Sequence, residues 1–328
     1  MSIRSVLVVV GLLALAVAGP AVAARYHVAP GGTRTADASE PGDWSAENCY
    51  PTLAAAAAQT APADSVLLSR DQHGVTSTVA VPAFLGNRDL DTDPTGCVLV
   101  LTGAGEVRVR EASVSVVIAG LRWTSDGQAR EATALAIANP GGGLEAVSIT
   151  GCEFNGLVGG RSLGGAGVYA EEGRGLALTV RACGFVDNDA PGRGGAMAIR
   201  DGFIVHVEDS EFRRNRAIAG GTSPLGGAIY VSSPDEPTSV TILGTDFLGN
   251  ESARAGGALC IFDASLELDQ CRVIGSRSAS TGIETWAAGA GLMLRRYDGT
   301  HLAPVALVIR GCRFEDNVGN LAAGTGAG

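Results

Sequence analysis

From about residue 145 onward, apolar and polar positions alternate with period two in a series of short runs. They read VSITGCEFNGL, LTVRACGFVDN, VHVEDSEFRRN, VTILGTDFLGN, LELDQCRVIGS and LVIRGCRFEDN. This alternation predicts strands, and no helical stripe of comparable length competes with it. Aligned, the runs share the pattern apolar-x-apolar-x-x-small-x-Phe-x-x-Asn. The small column holds Cys152, Cys183, Ser210, Thr245, Cys271 and Cys312. The aromatic column holds Phe154, Phe185, Phe212, Phe247, Val273 and Phe314, and the last column Leu157, Asn188, Asn215, Asn250, Ser276 and Asn317. VVIAGLRWTSD, with Leu121, Trp123 and Asp126 in the three columns, reads as an earlier, degenerate copy.

Between the runs lie Gly-Gly-Ala-like sites. Taking the middle glycine as Gly165, Gly195, Gly227, Gly257 and Gly289 gives spacings of 30, 32, 30 and 32 residues, and Thr325-Gly326-Ala327 adds a copy at the C-terminus. A unit of this length, made of short strands and turns, cannot bury its apolar face alone but can do so stacked on copies of itself. Each column then becomes a ladder with rungs roughly 4.8 Å apart. Phe packs on Phe, Asn amides bond along the stack, and Asn tolerates the left-handed backbone of a turn. The paired glycines serve another corner. The pattern predicts an all-β, single-stranded parallel β-helix. Right-handedness is expected because crossovers between parallel strands favour it. A propeller blade needs a longer unit, and a calcium-binding roll needs aspartates that recur in every repeat.

Ahead of the repeats, residues 1–23 read as a secretion signal: Arg4, an apolar run, then Ala21-Val22-Ala23. Residues 24–70 read as a first strand and a capping helix, with Thr52 as N-cap of an Ala-rich helix through Gln59 that covers the open end of the stack. Residues 71–328 are the coils, with clear repeats over 145–328 and a stop at Gly326-Ala327-Gly328 inside a repeat, as a truncated end would give.

Composition narrows the functions. The 47 glycines and 5% aromatic content suit tightly stacked backbone rather than a core of large side chains. The net charge of −10 disfavours nucleic acid and anionic lipid as partners. All 24 basic residues are arginine, which removes every mechanism that needs a lysine base or Schiff base. After the signal, no segment is long and apolar enough to span a bilayer.

Phe-x-x-Asn followed by Gly-Gly-Ala-[Ile/Leu/Met], best at Phe185/Asn188 with GGAM, Phe212/Asn215 with GGAI and Phe247/Asn250 with GGAL, resembles the repeat of the chlamydial-type polymorphic outer membrane proteins. ARYHVAPGG and CYPTLAAAAAQTAPADSVLLSRD are similar to the opening of the wider pectin-lyase-like superfamily. The resemblance implies a right-handed β-helix that is exported, often surface-displayed through a C-terminal barrel, with an adhesion role. No barrel follows the repeats in this chain.

The expected function is therefore a non-enzymatic, exported binding scaffold, adhesin-like, at the cell surface, outer membrane or extracellular space, with a glycan or cell-surface protein as partner. The alternative is a polysaccharide lyase or glycoside hydrolase. A hydrolase needs two or three acids on one face, and a lyase needs clustered aspartates with a basic residue. No Asp-Asp pair, Asn-Thr-Asp or Arg-x-Pro-x-x-Arg motif occurs in the repeats, and Asp187 and Asp316 fall on well-separated coils. No catalytic, metal or cofactor residue is assigned; His27, His73, His206 and His301 have no metal-ligand spacing. Two loops that break the repeat carry Trp286, Arg295, Arg296, Tyr297 and His301, a combination of aromatic and basic groups suited to stacking on a sugar or anchoring a partner. RAIAGGTSPL (216–225) and SSPDEPTS (232–239) form a second loop set. Cys49 and Cys97 flank the cap region and are a candidate disulfide. Cys152/Cys183 and Cys271/Cys312 share the small column on successive coils. Parallel Cβ vectors hold their Cβ atoms beyond the usual ~3.8 Å, so they are read as buried thiols acting as small apolar rungs.

Overall fold

The computed structural model describes residues 24–34, 48–87, 96–109, 115–128, 131–160, 164–218, 224–279, 289–296 and 306–319. Almost every ordered element is a short strand, and the strands form four parallel sheets of eleven, nine, eight and five members. Within each sheet, neighbours come from successive turns of the chain. One turn runs through Leu176–Arg181 in the first sheet, Gly184–Val186 in the second, Asp189–Pro191 in the fourth and Met197–Arg200 in the third. It then re-enters the first sheet at Phe203–Glu208. This order is that of a solenoid, consistent with a parallel β-helix.

Stacking follows the sequence columns. In the first sheet Val66, Leu85, Ile118, Ile149, Val180, Val207, Ile242 and Leu268 lie in register, all buried. In the second sheet the aromatic column runs Trp123, Phe154, Phe185, Phe212, Phe247, Val273, Phe314. From Trp123 to Phe247 the rings stack at centroid distances of 5.2, 4.7, 4.6 and 5.1 Å with interplanar angles of 12° or less. Upstream the column continues through Leu99 to His73. Phe314, on the last described coil, is 42% exposed.

The Asn column is a buried amide ladder. Asn215 Oδ1 accepts from the Asn188 backbone N–H (3.2 Å) and from Asn188 Nδ2 (2.9 Å). Asn215 Nδ2 donates to the Phe185 carbonyl (2.9 Å) and to Asn250 Oδ1 (3.0 Å). The ladder breaks at Ser276, whose buried Oγ has no hydrogen-bond partner, and resumes at Asn317, which accepts from the Ser276 N–H. The expectation that Asn takes the left-handed conformation is corrected. The residue before it does so: Asp187 (φ 55°), Arg214 (φ 52°), Gly249, Gly275 and Asp316. That leaves the asparagine free to turn its amide inward.

The small column is corrected in chemistry. The Cys183 N–H donates to Ser210 Oγ (3.1 Å), the Ser210 N–H to Thr245 Oγ1 (3.4 Å) and the Cys271 N–H to Cys312 Sγ (3.4 Å). Ser210, Thr245 and Cys312 are thus acceptors closing the corner between the first and second sheets, whereas Cys152, Cys183 and Cys271 are buried free thiols, as expected. Cys97 belongs to this column through Leu121. Cys49 and Cys97 are both buried thiols, so the disulfide expected between them is not formed. The reason is topological: Cys49 pairs with His27 in the first sheet, and Cys97 with Leu121 in the second. Burial pushes the Cys97 thiol up to about 12.

The glycine register is also corrected. The backbone bonds align Gly167 with Ala196, Ala228, Ala258 and Gly291. The left-handed corner is therefore Gly165, Gly194, Gly226, Gly256 and Gly289, with φ between 63° and 73°. The column after it holds Ala166, Gly195, Gly227, Gly257 and Ala290, so Gly165 and Gly289 do not belong with the middle glycines.

From Leu135–Ala138 to Leu259–Phe262 the third sheet is buried on both faces. Its outward column runs Ala136, Tyr169, Ala198, Tyr230, Cys260, Met293; from Tyr169 on it forms a second apolar cluster with Leu225, Ala255 and Phe262, and Arg193 sits 5.0 Å over the Tyr230 ring. Near the N-terminal end a five-residue helix, Leu53–Ala57, starts at Thr52, whose hydroxyl accepts from the Ala55 N–H (3.1 Å). It stops short of Gln59.

Candidate functional site

Of the loop residues singled out in the sequence, Trp286, Tyr297 and His301 lie outside the described residues. Arg295 ends the strand Leu292–Arg295, in register with Phe262, and Arg296 follows it. In the second loop set, residues 219–223 lie outside the described residues. The 232–239 segment is tied down: the Asp235 N–H donates to Asp201 Oδ1 (2.9 Å), the Gly202 N–H to the Glu236 carbonyl (3.2 Å), and Ser233 Oγ to the same carbonyl. Burial raises the Asp201 carboxyl above the ordinary aspartate value.

An open concavity lies elsewhere, on the outer face of the second sheet. There the first outward column reads Arg122, Glu153, Gly184, Glu211, Asp246, Arg272, Arg313. Gly184 removes one side chain from this row. The result is an open groove of about 720 Å³, lined by Cys152, Glu153, Cys183, Asp209, Ser210, Glu211 and Asp246 among others. Its walls follow from the fold. Each lining acid sits at an outward strand position or, like Asp209 (φ 48°), at the left-handed corner before the small column.

The carboxylates lining the outward row each have an arginine. Arg122 Nε lies 2.9 Å from Glu153 Oε2, Arg213 Nε 3.2 Å from Glu211 Oε1, and Arg272 Nε 2.6 Å from Asp246 Oδ1. Beneath them Cys183 is held well above the ordinary thiol range by its hydrogen bond with Cys152 and by burial. It is no nucleophile in this state. A smaller cleft of about 270 Å³ between the second and fourth sheets is occupied by paired charges: Arg214 forks onto Asp187 (2.7 and 2.6 Å), and Arg216 onto Asp189. Arg214 in turn holds the Asp187 carboxyl below the usual range.

Among the described residues no group of three or more His, Cys, Asp or Glu is arranged to hold a metal. His206 is exposed on the first sheet between Thr179 and Thr241, whereas His73 is buried, its Nε2 3.0 Å from the Ser69 carbonyl. The aligned acids Glu153, Glu211 and Asp246 were not picked out in the sequence, where the search was for paired aspartates. The signal was present as the residue immediately before each Phe or its equivalent, and Gly184 is the exception that opens the groove. No family model, curated protein or solved structure matches this chain.

Proposed function

We propose that the protein is an exported, non-enzymatic binding scaffold acting at a cell surface or outside the cell. In this reading residues 1–23 direct export, the coils wind as a right-handed β-helix related to the pectin-lyase-like and polymorphic outer membrane repeat proteins, and helix Leu53–Ala57 covers the N-terminal end of the stack. The groove over Gly184 carries the proposal: a concavity crossing several coils on a rigid sheet, polar on its walls, with the charge of its outward-row acids already balanced by arginine. Such a surface suits a neutral chain, glycan or peptide, and leaves few unpaired arginines to hold the polyanions that pectin-cleaving enzymes degrade.

A glycan array with the secreted chain, repeated with Gly184→Arg, tests this. Gly184 has no left-handed backbone, and a Cβ there meets only Glu153 Cγ at 3.8 Å, so arginine fills the groove without straining the fold. Loss of an array ligand in the variant supports the reading; ligands retained in full by a folded Gly184→Arg contradict it.

A hydrolase is the second reading, favoured by one feature: Glu153 and Glu211 flank the Gly184 gap two coils apart, about 10 Å between Cα atoms. Inverting glycosidases hold their two carboxyl groups at a separation of this order. New reducing ends released by the native chain and abolished by Glu211→Gln would decide for it.

A further inference from the structure

The outer face of the first sheet is a second surface, distinct from the groove. It runs in unbroken parallel register over seven neighbouring strands, from Ser65–Leu68 to Ser239–Leu243. Its central column reads Phe84, Val117, Ser148, Thr179, His206, Thr241. Three observations set it apart. In a chain of net charge −10, the ionisable groups pointing out from these strands are Arg181 and Glu208, 3.4 Å apart and paired with each other, and His206. Small side chains and hydroxyls fill most other positions. Among the described residues the exposed large hydrophobics number seven: Leu307, Ile309, Phe314 and Val318 belong to the last described coil, and the other three, Val117, Ile204 and Leu243, all lie on this face.

We propose that this face docks onto the flat surface of an uncharged, ordered polysaccharide. The chemistry is complementary on three counts. Exposed methyl groups pack on the apolar faces of sugar rings, and Ser148, Thr179 and Thr241 offer hydroxyls for polar exchange at the rims. Short side chains lose little rotamer freedom on docking. Their rungs recur roughly every 4.8 Å, close to the repeat of a β-linked pyranose chain, so one contact pattern extends over several sugar units. The two fully charged side chains of this face, Arg181 and Glu208, already neutralise each other.

Size decides against a second copy of the chain. Six strand spacings by two outward steps give about 29 Å by about 13 Å, near 400 Å². A stable protein pair buries about 800 Å² on each side, usually around aromatic or arginine anchors. A polymer lattice offers each molecule many equivalent, overlapping sites, so a weaker single contact still gives retention on the solid.

The test is co-sedimentation of the secreted chain with two insoluble, uncharged probes, cellulose powder and chitin beads. The native chain is expected to be retained by at least one of them, with little dependence on salt. The double variant Ser148→Glu/Thr179→Glu should lose at least about tenfold in retention, since two carboxylates would be desolvated against an uncharged surface. Gly184→Arg, which alters only the groove, should be retained like the native chain, so failure of this proposal and failure of the groove reading are separable. If the double variant does not fold, Thr241→Glu carries the same test. No retention of the native chain on either solid, or equal retention of a folded variant, overturns the proposal. A concentration-dependent dimer dissolved by the same substitutions also overturns it, in favour of a second copy.

Discussion

Replacing Asn215 with alanine tests the amide ladder at its centre. The side chain makes four hydrogen bonds, two accepted from Asn188 and two donated, to the Phe185 carbonyl and to Asn250 Oδ1. Asn188 Nδ2 keeps its bond to the Phe154 carbonyl, whereas the Asn188 backbone N–H, in a residue with no solvent exposure, loses its acceptor. An orphaned buried N–H costs about 1–3 kcal/mol and each further lost bond about 1 kcal/mol net. With partial recovery by water and neighbours, Asn215→Ala should destabilise these coils by about 3 kcal/mol. Repeat arrays open locally, so a single global unfolding energy is the wrong readout. Amide hydrogen exchange is the right one: protection at Asn188 should fall about 100-fold, at 1.4 kcal/mol per factor of ten. Amides of Val66–Leu68, far along the stack, should be unchanged. Native-like protection of Asn188 in the variant would refute the claim that its N–H depends on the side chain of the next coil.

Three further perturbations probe the stack. Ser276→Asn completes the ladder under Asn250 and above Asn317, replacing an unpartnered Oγ, and should raise stability by about 1 kcal/mol; a lower urea midpoint would mean that the site lacks room for the amide. Gly226→Ala puts a Cβ at φ 67° against the Ile229 carbonyl and should cost at least about 1–2 kcal/mol, read as a lower thermal midpoint. Burial lowers the pKa of His73 below its ordinary 6.5, so it folds as the neutral ring. The stability this contributes is full above the unfolded value and is lost as pH falls through the folded one; urea midpoints should drop on acidification below about 6.5, less so in His73→Leu.

Much of the architecture was legible because a stacked coil repeats its requirements. Phe212 must sit on Phe185 and Phe247, so the same letter returns each turn, and period-two alternation marks the inward side. Legibility failed where a residue's partner is on another coil or its role is set by a neighbour. Ser210 looks like another small rung until its hydroxyl is seen accepting the Cys183 backbone N–H from the neighbouring coil. Gly165 and Gly195 look equivalent until the backbone bonds align Gly165 with Gly194. The middle of the third sheet, buried on both faces, was signalled by the unbroken apolar runs AMAI, AIYV and LCIF, which lack the alternation of a half-solvated strand. The groove was least legible: Glu153, Glu211 and Asp246 are ordinary surface acids in sequence, 58 and 35 residues apart.

By itself, the sequence determined that the chain is built of repeated short strands, where the rungs fall and which side chains face inward. Backbone hydrogen bonding and the burial of apolar groups leave no other use for that periodicity. Only the tertiary structure decided which outward residues share a row. Stacking converts a separation of about 30 residues into about 4.8 Å. The absence of one side chain at Gly184 thereby becomes a groove, and a scatter of serines, threonines and valines becomes one flat face with a single ion pair on it.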